Sequence, residues 1–202
     1  ENNGAADPTW TAADIDTSAD GARNVHFADI DGDGDLDIVS ASQNDDTIAW
    51  YENNGAADPT WTAADIATSA DGAYGVHVAD MDGDGDLDIV STSKTDDTIA
   101  WYENDGAADP TWTAADIATS ADGARNVHVA DMDGDGDPDI VSASQNDDTI
   151  AWHEHNGAAD PTRTPPRLPH RPGRPYRAHP APHHTPAYPS RSPPRPHPPP
   201  PP

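Results

Sequence analysis

The sequence predicts an all-β fold of β-propeller blades, four antiparallel strands each, in about three 51-residue repeats, and three observations predict it. Residues 29–79 and 80–130 share 44 identities at a period of 51. Each unit holds four short runs rich in β-branched or aromatic residues, separated by Asp, Gly, Asn and Pro turn formers. No segment carries an apolar stripe at helical spacing; Ala56-Ala57 and Ala63-Ala64 are interrupted by Pro59, Trp61 and Thr62. Four strands in a unit of this length match blades packed face to face around a channel. One unit alone could not bury its faces.

Within a unit the strands follow in order. Val76-His77-Val78-Ala79 alternates into an acidic loop, Asp88-Ile89-Val90-Ser91 leaves it, Thr98 to Tyr102 returns, and Trp112 to Ile117 closes the unit. The turns between them are Lys94 to Asp97, Asp105-Gly106 with Asp109-Pro110, and Asp122-Gly123. Val25, Phe27, Ile48 and Trp50, with their counterparts, are assigned to packing between blades. His26, His77 and His128 are read as packed strand residues, because no cysteine partner or Ser-His-Asp order accompanies them.

The acidic loop carries the chemistry. Asp29-Ile30-Asp31-Gly32-Asp33-Gly34-Asp35-Leu36-Asp37 recurs as Asp80 to Asp88 and Asp131 to Asp139. A lone Asp-x-Asp-Gly is an ordinary turn former. Five carboxylates at alternate positions, three times in one register, are a different matter: two charges about 5 Å apart at an effective dielectric of about 20 repel by roughly 3 kcal/mol. Aspartates at positions one, three and five, a glycine at six and a carbonyl at seven match the first half of a helix-loop-helix calcium site. Position twelve is Ser40, Ser91 or Ser142 instead of glutamate, and an aspartate at position nine closes a shorter loop. Hard oxygen ligands at flexible spacing favour Ca²⁺ over Mg²⁺ or Zn²⁺.

The run from Val76 to Val90, His-Val-Ala-Asp-Met-Asp-Gly-Asp-Gly-Asp-Leu-Asp-Ile within it, resembles the FG-GAP/VCBS repeat family, whose blades also occur in integrin α-subunit heads. The resemblance covers residues 1–162. It implies a propeller with calcium between the first two strands of each blade, in extracellular or cell-surface proteins that adhere or bind ligands. Carried over by position, the side-chain ligands are Asp29, Asp31, Asp33 and Asp37 with the carbonyl of Asp35. In the second loop they are Asp80, Asp82, Asp84 and Asp88 with the carbonyl of Asp86, and in the third Asp131, Asp133, Asp135 and Asp139 with that of Asp137. Two departures stand out. Three units fall short of the four to eight blades of a ring, and Pro138 replaces Leu36 and Leu87, which are expected to turn inward and pin their loops. Loop three is therefore expected to be the weakest site.

Composition divides the chain. Residues 1–162 hold all 37 acids and only Arg23, Lys94 and Arg125 as bases, whereas 163–202 hold seven arginines, seventeen prolines and no acid. The acidic part excludes nucleic acid and anionic membranes as partners, and no apolar run is long enough to insert into a membrane. Glu1 aligns with Glu52 and Glu103, so a fragment beginning inside a unit is expected. The 163–202 tail is expected to be disordered. Arg163 stands where Trp10, Trp61 and Trp112 predict tryptophan, and a one-base shift with suitable codons restores repeat residues at Arg167, His170 and Arg174, as in a frame-shifted fourth repeat.

The expected function is a calcium-binding, non-enzymatic scaffold of a secreted or cell-surface protein, with protein or glycan ligands. Its alternatives are part of a carbohydrate-active propeller enzyme or lectin-like module, and an open-reading-frame fragment with no function of its own. Catalysis would need non-repeated polar residues converging on one face. The departures (Arg23 and Arg125 against Tyr74, Lys94 against Gln43, His153 and His155 against Tyr51 and Asn53) form no recognisable constellation in the sequence.

Overall fold

A computed structural model describes residues 10–157, all within a compact unit spanning Glu1–Pro166; the expectations for the 163–202 tail lie outside the described residues. Eleven strands and no helix occupy these residues. The first sheet holds β1 (Ala22–Ala28), β2 (Asp37–Ser42), β3 (Thr47–Asn53) and β4 (Trp61–Ala67) in that order. The second repeats it with β5 (Ala73–Ala79), β6 (Asp88–Ser93), β7 (Thr98–Asn104) and β8 (Trp112–Ala118). The third has β9 (Ala124–Ala130), β10 (Asp139–Ser144) and β11 (Thr149–His153). Every pairing is antiparallel between chain neighbours, the meander that short turns impose. The predicted strands agree with the observed ones to within a few residues.

The turns follow their residue types. Gly21, Gly72 and Gly123 open each first strand at φ near +70°, where a side chain would also strike the neighbouring hairpin. Asp46, Asp97 and Asp148 hold left-handed φ of 57°, 60° and 55° in the hairpin after the second strand. For two of them the cost has a visible return, because the next blade fixes them. Asp46 Oδ1 accepts Gly72 N–H at 2.8 Å while its carbonyl accepts Ala70 N–H at 2.9 Å, and Asp97 repeats both bonds with Gly123 and Ala121.

The core lies between sheets. Val39, Ile48 and Trp50 of the first pack against Val76, Val78, Ile89 and Tyr102 of the second. Val90, Ile99 and Trp101 of the second pack in the same way against Val127 and Ile140 of the third. Alternation sends one set of each blade forwards and the other backwards, so each middle face is covered. Trp50 and Trp101 are buried here and present no platform to a sugar. The first strands β1, β5 and β9 stand side by side, bringing His26, His77 and His128 into one row with ring centroids 4.7 and 5.6 Å apart.

Candidate metal centres

Each acidic loop joins the first strand of a blade to the second and folds on its own carboxylates. In loop two, Asp80 Oδ2 accepts Gly85 N–H at 3.1 Å, Asp82 Oδ1 accepts Asp84 N–H at 3.1 Å, and Asp84 Oδ1 accepts Asp86 N–H at 2.9 Å. Loop three makes the same bonds from Asp131, Asp133 and Asp135, and loop one from Asp29, Asp31 and Asp33. Glycines at positions four and six, with φ of +74° to +103°, let the chain wind tightly enough for these contacts. Carboxylates one turn apart therefore point to one centre.

Three carboxylates per loop offer oxygens within 4.8 Å of one another: Asp29, Asp31 and Asp33 in the first, Asp80, Asp82 and Asp88 in the second, Asp131, Asp133 and Asp139 in the third. Asp37, Asp84 and Asp135 stand outside these tightest trios. The position-nine aspartates brace the loop from below. Buried Asp88 accepts Met81 N–H at 2.9 Å and Asn104 N–H at 2.8 Å, and Asp37 and Asp139 each take the two equivalent bonds. Each oxygen keeps a second lone pair for an ion. The side chains of Asp35, Asp86 and Asp137 lie instead against Gly55, Gly106 and Gly157, where a Cβ would collide with the carboxylate. At position seven only the backbone carbonyl is left to face an ion.

The donor set fits a hard cation. Asp29 Oδ1 is buried and accepts no hydrogen bond, a costly state for a carboxylate oxygen unless a positive charge meets it. Electrostatics agree. Asp31 is raised above its ordinary range by burial and by repulsion from Asp33, Asp37 and Asp29, and Asp82 by burial and by Asp84 and Asp80. In Asp133 the Asp135 N–H lowers the pKa most, yet burial and repulsion from Asp135 and Asp139 together raise it. Burial pushes Asp88 up to about 6 against the bonds from Asn104 and Met81; Asp139, in the last described blade, is lowered because its bonds outweigh burial. A bound cation would lower every one of the raised groups.

Leu87 packs partly into the core between the first two blades, but Leu36 is exposed, which corrects the expectation that both pin their loops. The reason is positional: no described blade precedes Leu36. Sequence reasoning also missed Asn53 and Asn104, whose side chains donate to the carbonyls of Leu36 and Leu87 at 3.0 and 3.1 Å. Their signal was a polar residue recurring at a strand end beside the loop.

At the opposite ends of the first strands, departures from the repeat do converge. Arg23, Tyr74 and Arg125 each lack a partner in the pairing register and form a β-bulge. The guanidinium carbons of Arg23 and Arg125 lie 5.5 and 4.7 Å from the Tyr74 ring centroid; Arg125 Nη1 donates to Tyr74 Oη at 2.7 Å and Arg23 Nε to Gln43 Oε1 at 2.6 Å. The tyrosine is thus clamped across three blades. His153 and His155 line a cleft with Asp116, Glu154 and Pro138.

Antiparallel sheets in tandem, two of four strands and a third with three described strands, each with an acidic loop between its first two strands, define a propeller-type repeat protein. The FG-GAP-like repeat model matches residues 29–91, 80–142 and 131–181, and the chain belongs to this family. The third match continues past the change of composition at 163. No curated protein matches the chain significantly.

Proposed function

We propose that the chain is a calcium-binding, non-enzymatic propeller scaffold over residues 1–162, with a separate proline-rich tail over 163–202, belonging to a secreted or cell-surface protein that binds protein or glycan ligands. The observation that carries the calcium reading is the carboxylate trio that each of the three loops gathers within 4.8 Å; in the first loop Asp29 Oδ1 is also buried and unpartnered, whereas Asp80 and Asp131 Oδ1 accept Gly83 and Gly134 N–H at 2.7 Å. Asp29, Asp31, Asp33 and Asp37 with the Asp35 carbonyl would hold the first ion, and the equivalent residues the second and third. When bound, the ion supplies charge neutralisation to the loop; the chain's residues hold the loop in register through Asp37, Asp88 and Asp139.

The scaffold reading rests on the family, which is generally non-enzymatic, and on where the non-repeated residues sit. Arg23, Tyr74 and Arg125 bind one another across blades and so contribute to packing. No helix among the described residues is long and apolar enough to cross a membrane.

Calorimetric titration of the full chain with calcium tests the reading. Saturable binding with dissociation constants of about 0.1–1 mM, as in extracellular calcium modules, is expected, with one site lost in Asp82→Ala. Absence of heat, or an Asp82→Ala titration identical to the parent, would reject it.

A further inference from the structure

We propose that the calcium sites of loops one and two are coupled, and that Asn104 is the positioning residue through which filling either loop raises the affinity of the other. The inference rests on the calcium reading of these loops and adds a communication between blades to it. The observation behind it is a path of hydrogen bonds, lying wholly between the first and second blades, that joins the position-nine aspartates of the two loops.

The path starts at buried Asp88, whose Oδ1 accepts Asn104 N–H at 2.8 Å. The Asn104 side-chain amide then donates twice, to Leu87 O in its own loop at 3.1 Å and to Ile30 O in the loop of the preceding blade at 3.2 Å. Ile30 N–H donates in turn to Oδ2 of buried Asp37 at 3.1 Å. The acceptor end of the Asn104 side chain is held as well: its Oδ1 accepts Gly106 N–H at 3.0 Å, and Asp86 lies against Gly106. Asn104 is thus tied to loop two at positions eight and nine, and through Gly106 to position seven. In loop one it holds the peptide between the candidate ligands Asp29 and Asp31. Apolar packing runs beside these bonds, since Ile30 is 3% exposed in the core between the two blades and Leu87 packs partly into the same core. Asn104 itself is 2% exposed, so water does not replace a bond it loses.

Repulsion between its carboxylates loosens an empty loop, and ordering that loop opposes binding. With loop two filled, Leu87 and Asp88 are held, and with them the Asn104 amide and the peptide it fixes between Asp29 and Asp31. Loop one then has less ordering left to undergo, which appears as tighter binding. Linkage makes the effect mutual and equal in factor, and about fivefold, the lower end of the usual range for coupled sites, is expected. Charge alone gives the opposite sign, because two divalent cations in neighbouring loops repel.

The test is a calcium titration of the full chain followed by the amide resonances of Gly34 and Gly85. These read the two loops separately, because each N–H donates to the position-one aspartate of its own loop. Asp82→Ala should weaken binding at loop one about fivefold, and Asp31→Ala should weaken binding at loop two by the same factor. In an Asn104→Ala background, adding Asp82→Ala should change loop-one affinity by less than about twofold, because the shared link is gone. That background also separates the link from the loss of one acidic charge nearby. A purely structural role for Asn104 would lower both affinities and leave the Asp82→Ala effect intact. Asn104→His, the exchange already present at position 155, is a second background that guards against misfolding. One ring nitrogen carries one hydrogen and cannot serve Leu87 O and Ile30 O together, so the coupling should be lost there too. Asn53→Ala is the control: Asn53 donates to Leu36 O of its own loop, so this variant should weaken loop one and keep the coupling. If neither glycine resonance moves, the calcium reading falls and the coupling with it. If both loops titrate, but Asp82→Ala leaves loop one unchanged, Asp31→Ala leaves loop two unchanged, or the effect persists in both Asn104 backgrounds, the calcium reading stands and coupling through Asn104 is overturned.

Discussion

Asn104 joins two acidic loops: its side-chain amide donates to Ile30 O of the preceding blade's loop at 3.2 Å and to Leu87 O of its own at 3.1 Å. The side chain is buried, so Asn104→Ala leaves two carbonyls short of a donor and should cost about 1–3 kcal/mol. Urea unfolding should show the loss, and calcium affinity at loop one should fall with it. Asn53→Ala, at an exposed bond within one blade, should cost less.

Gly106 faces the Asp86 carboxylate at φ +70°. Gly106→Ala would place a methyl group in contact with that carboxylate and add about 1–2 kcal/mol of left-handed backbone strain. Reduced melting temperature and weaker binding at loop two are expected; an unchanged affinity would show that the Asp86 position is immaterial to the ion.

Pro138 leaves loop three with the hydrogen bonds of loop two: Asp131 to Gly134 at 2.7 Å, as Asp80 to Gly83, and Asp135 to Asp137 at 3.0 Å against 2.9 Å for Asp84 to Asp86. The expected weakening of this site therefore has no counterpart in these hydrogen bonds, although Asp131 and Asp133 are more exposed than Asp80 and Asp82. Pro138→Leu should change calcium affinity at loop three by less than tenfold, or about 1.4 kcal/mol. A larger change in titration would show that the proline acts on the ion after all.

His77 is held neutral. Burial, then the neighbouring His26 and His128, lowers its pKa from 6.5 to about 4. Protonation is thus easier in the unfolded chain, so the stability it contributes is complete above pH 6.5 and is lost as pH falls towards 4. Because the ring is partly exposed, solvent screening keeps the effect small. Stability measured between these pH values should fall less steeply in His77→Gln than in the parent; equal slopes would contradict the depressed pKa.

Local chemistry made the fold legible in the sequence. Strands such as Thr98–Asn104 and Trp112–Ala118 could be read because alternation and turn residues act over a few neighbours, and the 51-residue period made one unit evidence for the next. The loop aspartates were legible for the same reason. Asn104 and the Tyr74 clamp were not, because their partners lie one blade away in sequence and become neighbours only when sheets stack. Leu36 shows the converse: its sequence context equals that of Leu87, and it is exposed because no blade precedes it among the described residues.

The claim that the loops are organised around a cation is tested most directly by thermal unfolding of the full chain with hydrogen exchange, in excess calcium and again with a chelator. With calcium about 100-fold above its dissociation constant, each occupied site should contribute roughly 2.7 kcal/mol. The account predicts a melting temperature higher by several degrees in calcium, with the added exchange protection centred on Asp29–Asp37, Asp80–Asp88 and Asp131–Asp139. Coincident melting curves and unchanged exchange in all three loops would contradict it.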